Sequence, residues 1–235
     1  MCFSANASFG SGLVLSAIGA ASLAKVKHPS QIMFASIPLV FAVQQFSEGF
    51  LWLTLPDSGQ AYLQQVITHV FLIFAQVLWP LWVPIAIIFV EKEETRKPFQ
   101  KVLVGIGILV ALYLGFCLFF YHVQAKIVGY HIYYEQDYPV VPRNFGGALY
   151  IVVTIAPLFF SHIKRMWILG LTILVSYIVT AIFYDHYVVS VWCFFSSLIS
   201  ASVYLIMLEF KKLNKEEMSH QTLVLTMHHQ PDNIA

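Results

Sequence analysis

A carboxylate, an imidazole and three amides fall at helical spacing in two consecutive apolar stretches of this chain. Glu48 lies inside the 24-residue run from Ile32 to Leu55, with Gln44 and Gln45 just before it; His69 lies in the next run, four residues after Gln65. An ionised side chain held in hydrocarbon costs about 3 kcal/mol on insertion scales, so such residues turn to a partner, a cavity or a transport path. A carboxylate beside an imidazole offers three chemistries. The pair can bind a divalent transition metal, with His186, His122 or the Cys2 thiolate as further ligands. It can pass protons, since burial draws the proton affinities of the two groups together. Or it can neutralise itself and fix the register of two helices.

Depth is what brings these residues together. At a rise of about 1.5 Å per residue, Glu48 and His69 sit roughly 10 Å and roughly 12 Å inside the same end of their helices. The short turn from Pro56 to Gln60 makes those helices antiparallel neighbours, so contact between Glu48 and His69 is expected. Gln44, Gln45 and Gln65 would orient the pair, and Gln76 continues the second polar stripe two turns deeper. The expected ligand or proton pocket is therefore Glu48, His69, Gln44, Gln45 and Gln65, and the expected metal set is Glu48, His69 and His186. The plain alternative is a buried pair that only packs, and a lone histidine on a helix face is more often a satisfied core residue than a ligand.

The elements that must position these groups are membrane helices. Of the 235 residues, 59% are hydrophobic and 11% charged, where a soluble domain carries about a quarter charged residues. Apolar runs near 8–24, 32–55, 61–90, 102–121, 146–162, 166–184 and 187–209 predict an all-α polytopic membrane helical bundle with seven transmembrane helices. Pro80 and Pro84 are expected to kink the third helix rather than divide it. One set of connections holds Lys25, Lys27, Lys92, Arg96, Lys97, Lys101, Lys164, Arg165, Lys211, Lys212 and Lys215, and the other only Lys126 and Arg143. By the excess of positive charge on the cytoplasmic side, the N-terminus lies outside and the C-terminus in the cytoplasm. Residues 1–210 form the transmembrane domain and 211–235 a polar cytoplasmic tail.

Ser8, Gly12, Ser16 and Ala20 give the first helix a stripe of small residues that lets another backbone approach; Ser190, Ser197, Ser200 and Tyr204 mark the last helix in the same way. The segment 122–145 is the one long outer loop, rich in Tyr and placed to cover the bundle, although Tyr at an interface is ordinary belt chemistry. Cys2, Cys117 and Cys193 are too few and too widely spaced for a disulfide framework or zinc ribbon. No Lys or Arg precedes Lys25, so the first helix is expected to be retained rather than cleaved as a signal peptide. A net charge of +1 gives nucleic acid no basic field to bind. Nucleotide-binding and hydrolase motifs are missing, and the last helix has no lysine for a retinal Schiff base, Lys211 coming only at its end.

The opening MCFSANASFGSG (1–12), QQFSEGFLW (44–52) and LWPLWVPIA (78–86) resemble a family of uncharacterised bacterial multipass membrane proteins that begin Met-Cys-aromatic-Ser-Ala. The resemblance runs through the membrane region, includes Gln45, Glu48 and Trp52 of the second helix, and implies a seven-helix protein of the bacterial inner membrane. It implies no activity. More distantly, Ser47 and Glu48 with Asp185 beside a histidine are similar to the intramembrane zinc site of the alkaline ceramidase and adiponectin-receptor group. Those proteins place two histidines four apart in the last helix, and this chain has none there. The expectation is a multipass protein with an outward-facing polar pocket that binds or passes a proton, metal ion or small polar ligand. An intramembrane metal hydrolase and a structural subunit are the alternatives; the lipid bilayer is the only partner implied, and oligomeric state is open.

Overall fold

The computed structural model describes residues 4–183 and 195–210, the side chains of 140–145 excepted. Cys2, Tyr184, Asp185, His186, Cys193 and the tail from 211 lie outside the described residues.

Helix α1 (Ala5–Leu23) opens on Ser4, whose hydroxyl accepts from the Ala7 N–H at 3.3 Å, a standard N-cap. Its buried stripe is Ser8, Ser11, Gly12, Leu15, Gly19 and Ser22. Ala20 is exposed and Gly19 takes its place, because a helix repeats every 3.6 residues and a strict four-residue spacing drifts off the face. The stripe packs on α3 (Ile37–Thr54). A Cβ on Gly19 would come 2.5 Å from Leu39, and one on Gly12 2.7 Å from Phe46. The short α2 (Ile32–Ala35) precedes α3, separated from it by Ser36.

The turn at Ser58–Gln60, α4 (Ala61–Leu72), a π-helical segment (Ile73–Leu78) and α5 (Trp79–Val90) form one continuous helical stretch of 33 residues. The prolines do not divide it, as the sequence predicts. Pro80 has no N–H, so a carbonyl in the preceding turn loses its donor. The Tyr150 hydroxyl, from α7, donates to the Ala75 carbonyl at 2.7 Å and takes over that role, as neighbouring helices do for prolines in apolar surroundings. Helix α6 (Lys97–Phe120) crosses α5 where Gly107 meets the Pro80 carbonyl oxygen: a Cβ there would lie 2.1 Å away.

The segment 122–145 contains an unpredicted element. Strands β1 (Val123–Val128) and β2 (His131–Gln136) pair antiparallel, with Val128 opposite His131. Gly129, at φ 61°, occupies the first position of the two-residue loop, the place where a II′ turn needs positive φ. Val123, Ala125, Ile132, Tyr134 and the following Tyr138 bury themselves against Leu51, Phe71, Leu72, Cys117 and Leu118, and Phe71 stacks on Tyr134 at 4.7 Å. The hairpin thus closes one end of the bundle. Lys126 and Glu135 pair across its exposed face, and that hydrogen bond and charge hold the Glu135 carboxyl below its ordinary range. A depressed carboxylate stabilises above its unfolded pKa and loses that contribution as pH falls through its folded pKa. The protection factors of the Lys126 and Glu135 amides, corrected for the intrinsic pH dependence of exchange, should therefore fall on acidification, and Glu135→Gln should abolish that fall. An equal pH response in that variant would refute the assignment.

Helices α7 (Val140–Phe159), α8 (Met166–Phe183) and α9 (Ser196–Phe210) complete the described chain. Opposite the hairpin, the connections are tied together. Buried Glu91 accepts from the His162 N–H at 2.8 Å, the Ser161 hydroxyl at 3.0 Å and the Glu93 N–H at 3.1 Å. Arg96 donates to the Phe160 carbonyl at 3.0 Å and buried Gln100 to that of Pro157 at 3.1 Å. Apart from the hairpin, the described fold is all-α. Four of its helices are long and apolar enough to cross a membrane, Ala5–Leu23, Ser58–Val90, Lys97–Phe120 and Met166–Phe183, and Gly146–Phe159 and Ser196–Phe210 are shorter apolar helices. Gln44, Gln45, Ser47 and Glu48 keep α3 out of the first group by lowering its hydropathy.

Candidate functional site

Helix α3 buries its polar residues completely. Gln45 and Glu48 have no exposure, and Gln44 has 2%. Phe41 packs its ring on Trp79 at 4.2 Å, and the Trp79 indole N–H donates to Gln44 Oε1 at 3.1 Å. Gln44 is thus tied to α5. Gln45, Glu48 and Trp52 follow one another on a single stripe of α3 at helical spacing, between the face that meets α1 and the face that meets Trp79. Glu48 has an interaction of its own, whereas neither amide atom of Gln45 has a hydrogen-bond partner, nor has the buried indole nitrogen of Trp52.

Buried hydroxyls elsewhere in the bundle show how such groups are normally satisfied. Ser11, Ser22, Ser47, Thr54, Thr68, Thr154, Ser176 and Thr180 each donate to the carbonyl four residues earlier, the usual recourse of Ser and Thr in a helix. Ser8, Ser196 and Ser200 are equally buried and make no hydrogen bond at all.

Their positions along the helices set them at about the height of Glu48. Phe34 meets Phe210 with ring centroids 6.1 Å apart, and Arg165 reaches Glu209 at 3.6 Å, so α9 ends beside the start of α2 at the tied end of the bundle. From that contact both helices run into the shared core, where Val40 and Ile199 are buried together. Glu48 and Ser196 each lie 14 residues from it, and Gln44 and Ser200 each lie 10, or about 21 Å and about 15 Å along the axes. On α1, Phe9 packs against Gly49 and Phe50, which sets Ser8 at the same height. Gln45, Glu48, Ser8, Ser196 and Ser200, from three helices, thus lie at similar heights in the bundle. Leaving the Gln45 amide and the three serine hydroxyls without partners in an apolar interior costs about 1–3 kcal/mol each.

His69 and Gln65 do not join this layer. The His69 ring places Nδ1 2.8 Å from the Gln65 carbonyl and packs on Phe119 of α6 at 5.9 Å. The Gln65 side chain donates to the Val123 carbonyl of β1 at 3.1 Å. The expected contact of His69 with Glu48 is replaced by these, because equal depth does not fix which way a helix face turns. Gln65 and Gln76 of the second polar stripe face the hairpin, while His69 between them turns to α6. Gln76 donates to Gln136 at 3.0 Å and accepts from the Tyr138 hydroxyl at 3.1 Å, and burial pushes the Tyr138 phenol well above its ordinary range. His122 is exposed, and its carbonyl accepts from the Asp137 N–H. Of the expected metal set, His186 lies outside the described residues; among those described, no three His, Cys, Asp or Glu side chains gather to hold a metal.

Sequence reasoning missed Ser8, Ser196 and Ser200 as members of the site and Glu91 as a buried carboxylate. The serines carried only the signal of small residues at helical spacing. Glu91 looked like one charge in the run EKEETRK, although its position directly after a long apolar helix was a usable sign. Comparison with curated proteins and with solved structures finds no match. The sequence patterns at 1–12, 44–52 and 78–86 nevertheless fall within a longer match, across residues 1–219, and by it the chain belongs to DUF6629, a family of unknown function.

Proposed function

We propose that this chain is a seven-span protein of the bacterial inner membrane, with its N-terminus outside, and that the polar layer around Gln45 and Glu48 binds or passes a proton or small polar ligand in transport or sensing. The apolar helices and the tied end support the membrane reading, since Lys92, Arg96, Lys97, Lys164 and Arg165 all belong to the connections gathered there. That is the pattern of a cytoplasmic face. The observation that carries the site is the fully buried amide of Gln45, unpartnered beside the one carboxylate of its helix. A group that costs stability without a packing return is characteristic of a working site. Gln45 and the serines would orient the ligand and Glu48 would carry its charge or proton. Gln65 and Gln76 seat the hairpin that closes this end.

Infrared difference spectra of the purified protein during a pH titration test the reading. A carboxylic C=O band that appears on acidification and is lost in Glu48→Gln is expected, and Gln45→Leu should shift it while raising stability by about 1–2 kcal/mol. If Gln45→Leu stabilises the protein and leaves the Glu48 band and its titration unchanged, the layer is packing alone.

A further inference from the structure

The π-helical segment Ile73–Leu78 stands between two sets of contacts, and its register serves both. On one side, Gln76 donates to Gln136 at 3.0 Å and accepts from the Tyr138 hydroxyl at 3.1 Å, which ties the hairpin to the helix. On the other, Trp79 donates to Gln44 of α3 at 3.1 Å, and the Pro80 carbonyl meets Gly107 of α6. A π-turn is a rare wide turn inside an α-helix, frequent at functional sites, that bonds a carbonyl to the N–H five residues on. An α-turn reaches the N–H four residues on.

Pro80 makes the two registers distinguishable. It has no N–H, so the carbonyl it deprives is that of Ala75 in the π form and that of Gln76 in the α form. The hydroxyl of Tyr150, a buried residue of α7, donates to the Ala75 carbonyl at 2.7 Å, the one orphaned in the π form. In the α form Ala75 would already hold the Trp79 N–H, and the carbonyl left without its backbone donor would lie one residue on, about 100° round the axis from Tyr150. Tyr150 therefore favours the π form. Loss of the wide turn would rotate the residues before it by about 100° relative to those after it, carrying Gln76 part of the way. The α5 side is firmly held, since Trp79 also packs on Phe41 at 4.2 Å and Trp82 donates to the Met33 carbonyl at 3.0 Å. Gln65 and Phe71, which seat the hairpin with Gln76, lie on the side that turns.

We infer that Ile73–Leu78 is a register switch beneath the hairpin, with Tyr150 as its catch: Tyr150 holds the π form that seats the hairpin, and its withdrawal from Ala75 releases the hairpin from inside the bundle. The switch stands on these contacts whether or not Glu48 binds a ligand.

Hydrogen exchange of the hairpin amides, residues 123–136, in the full chain in nanodiscs tests it. Tyr150→Phe should lower their protection about fivefold, the effect of one lost hydrogen bond. Pro80→Ala supplies an N–H to whichever carbonyl the register would orphan, so in that background Tyr150→Phe should change hairpin protection by less than about twofold. Gln76→Leu should reproduce the loss seen in Tyr150→Phe, and combining the two should add little, because Tyr150 acts through Gln76. A general loosening of the bundle would act alike in every background. Hairpin protection unchanged in Tyr150→Phe, an equal effect with and without Pro80→Ala, or full additivity with Gln76→Leu would overturn the inference. If Pro80→Ala does not fold, the combination with Gln76→Leu decides alone.

Discussion

Gly107→Val will destabilise the fold by about 3 kcal/mol or more, and Gly107→Ala will do most of that damage alone. The added Cβ would stand 2.1 Å from the Pro80 carbonyl oxygen, a backbone atom that cannot rotate aside, and overpacking of a tight core typically costs about 1–3 kcal/mol even where side chains can yield. Relief would require α6 to withdraw from α5. That would pull at the segment where Pro80 has already removed a helix hydrogen bond and Tyr150 has replaced it. Two residues earlier in α6, Gly105 has nothing within 4 Å of its Cβ position, so Gly105→Ala should be neutral or stabilise by up to about 1 kcal/mol through helix propensity. Unfolding of both variants in mixed micelles, followed by circular dichroism, makes the comparison inside one helix. Equal midpoints would mean that the α5–α6 crossing is not as close as described.

Glu91→Leu is expected to cost about 3 kcal/mol. The carboxylate collects the His162 and Glu93 N–H groups and the Ser161 hydroxyl, and removing a buried acceptor strands its donors, while hydrogen bonds to a charged group are each worth about 1.5–3 kcal/mol. Two of the three partners, Ser161 and His162, come from the connection between α7 and α8, so the damage should be local before it is global. Cleavage by trypsin at Lys164 and Arg165 should become rapid in Glu91→Leu and stay intermediate in Glu91→Gln, which keeps one acceptor oxygen. Arg165 adds to the sensitivity of this turn: its φ of 68° is a left-handed conformation that costs a residue with a Cβ about 1 kcal/mol. A Glu91→Leu protein with native stability and a protected loop would show that the donors find other acceptors there.

The helical framework was legible because apolar runs interrupted by charge clusters need little context to interpret. The continuous helix through Pro80 followed from its length, too short for two crossings. The hairpin was hidden by its aromatic richness, which matched an interfacial belt, although Val123, Ala125 and Ile127 alternate with Gln124 and Lys126 shortly before Gly129. Glu48, Gln44 and Gln45 were found from the cost of burying them, a property of single residues. His69 was assigned to them on depth, a quantity that the rise per residue supplies, while its direction depends on how α4 is rotated against α6 and the hairpin. Ser200 was marked only as a small residue of the last helix and Ser196 not at all, since whether a serine in a helix bonds back to its own backbone is decided by packing.

Helix α3 also bears on how such a chain would enter a membrane during synthesis. Insertion is judged segment by segment, with the polar residues of a helix centre weighing against its leucines and phenylalanines, and Gln44, Gln45, Ser47 and Glu48 all fall within one stretch of α3. Its neighbours differ: α1 and the helix from Ser58 to Val90 are apolar enough to cross unaided. Gly12 and Gly19 let α1 lie directly on α3, so the earlier helix can shield the later one as it leaves the ribosome. The order in which the helices are made thereby becomes part of how this protein tolerates a carboxylate at its centre.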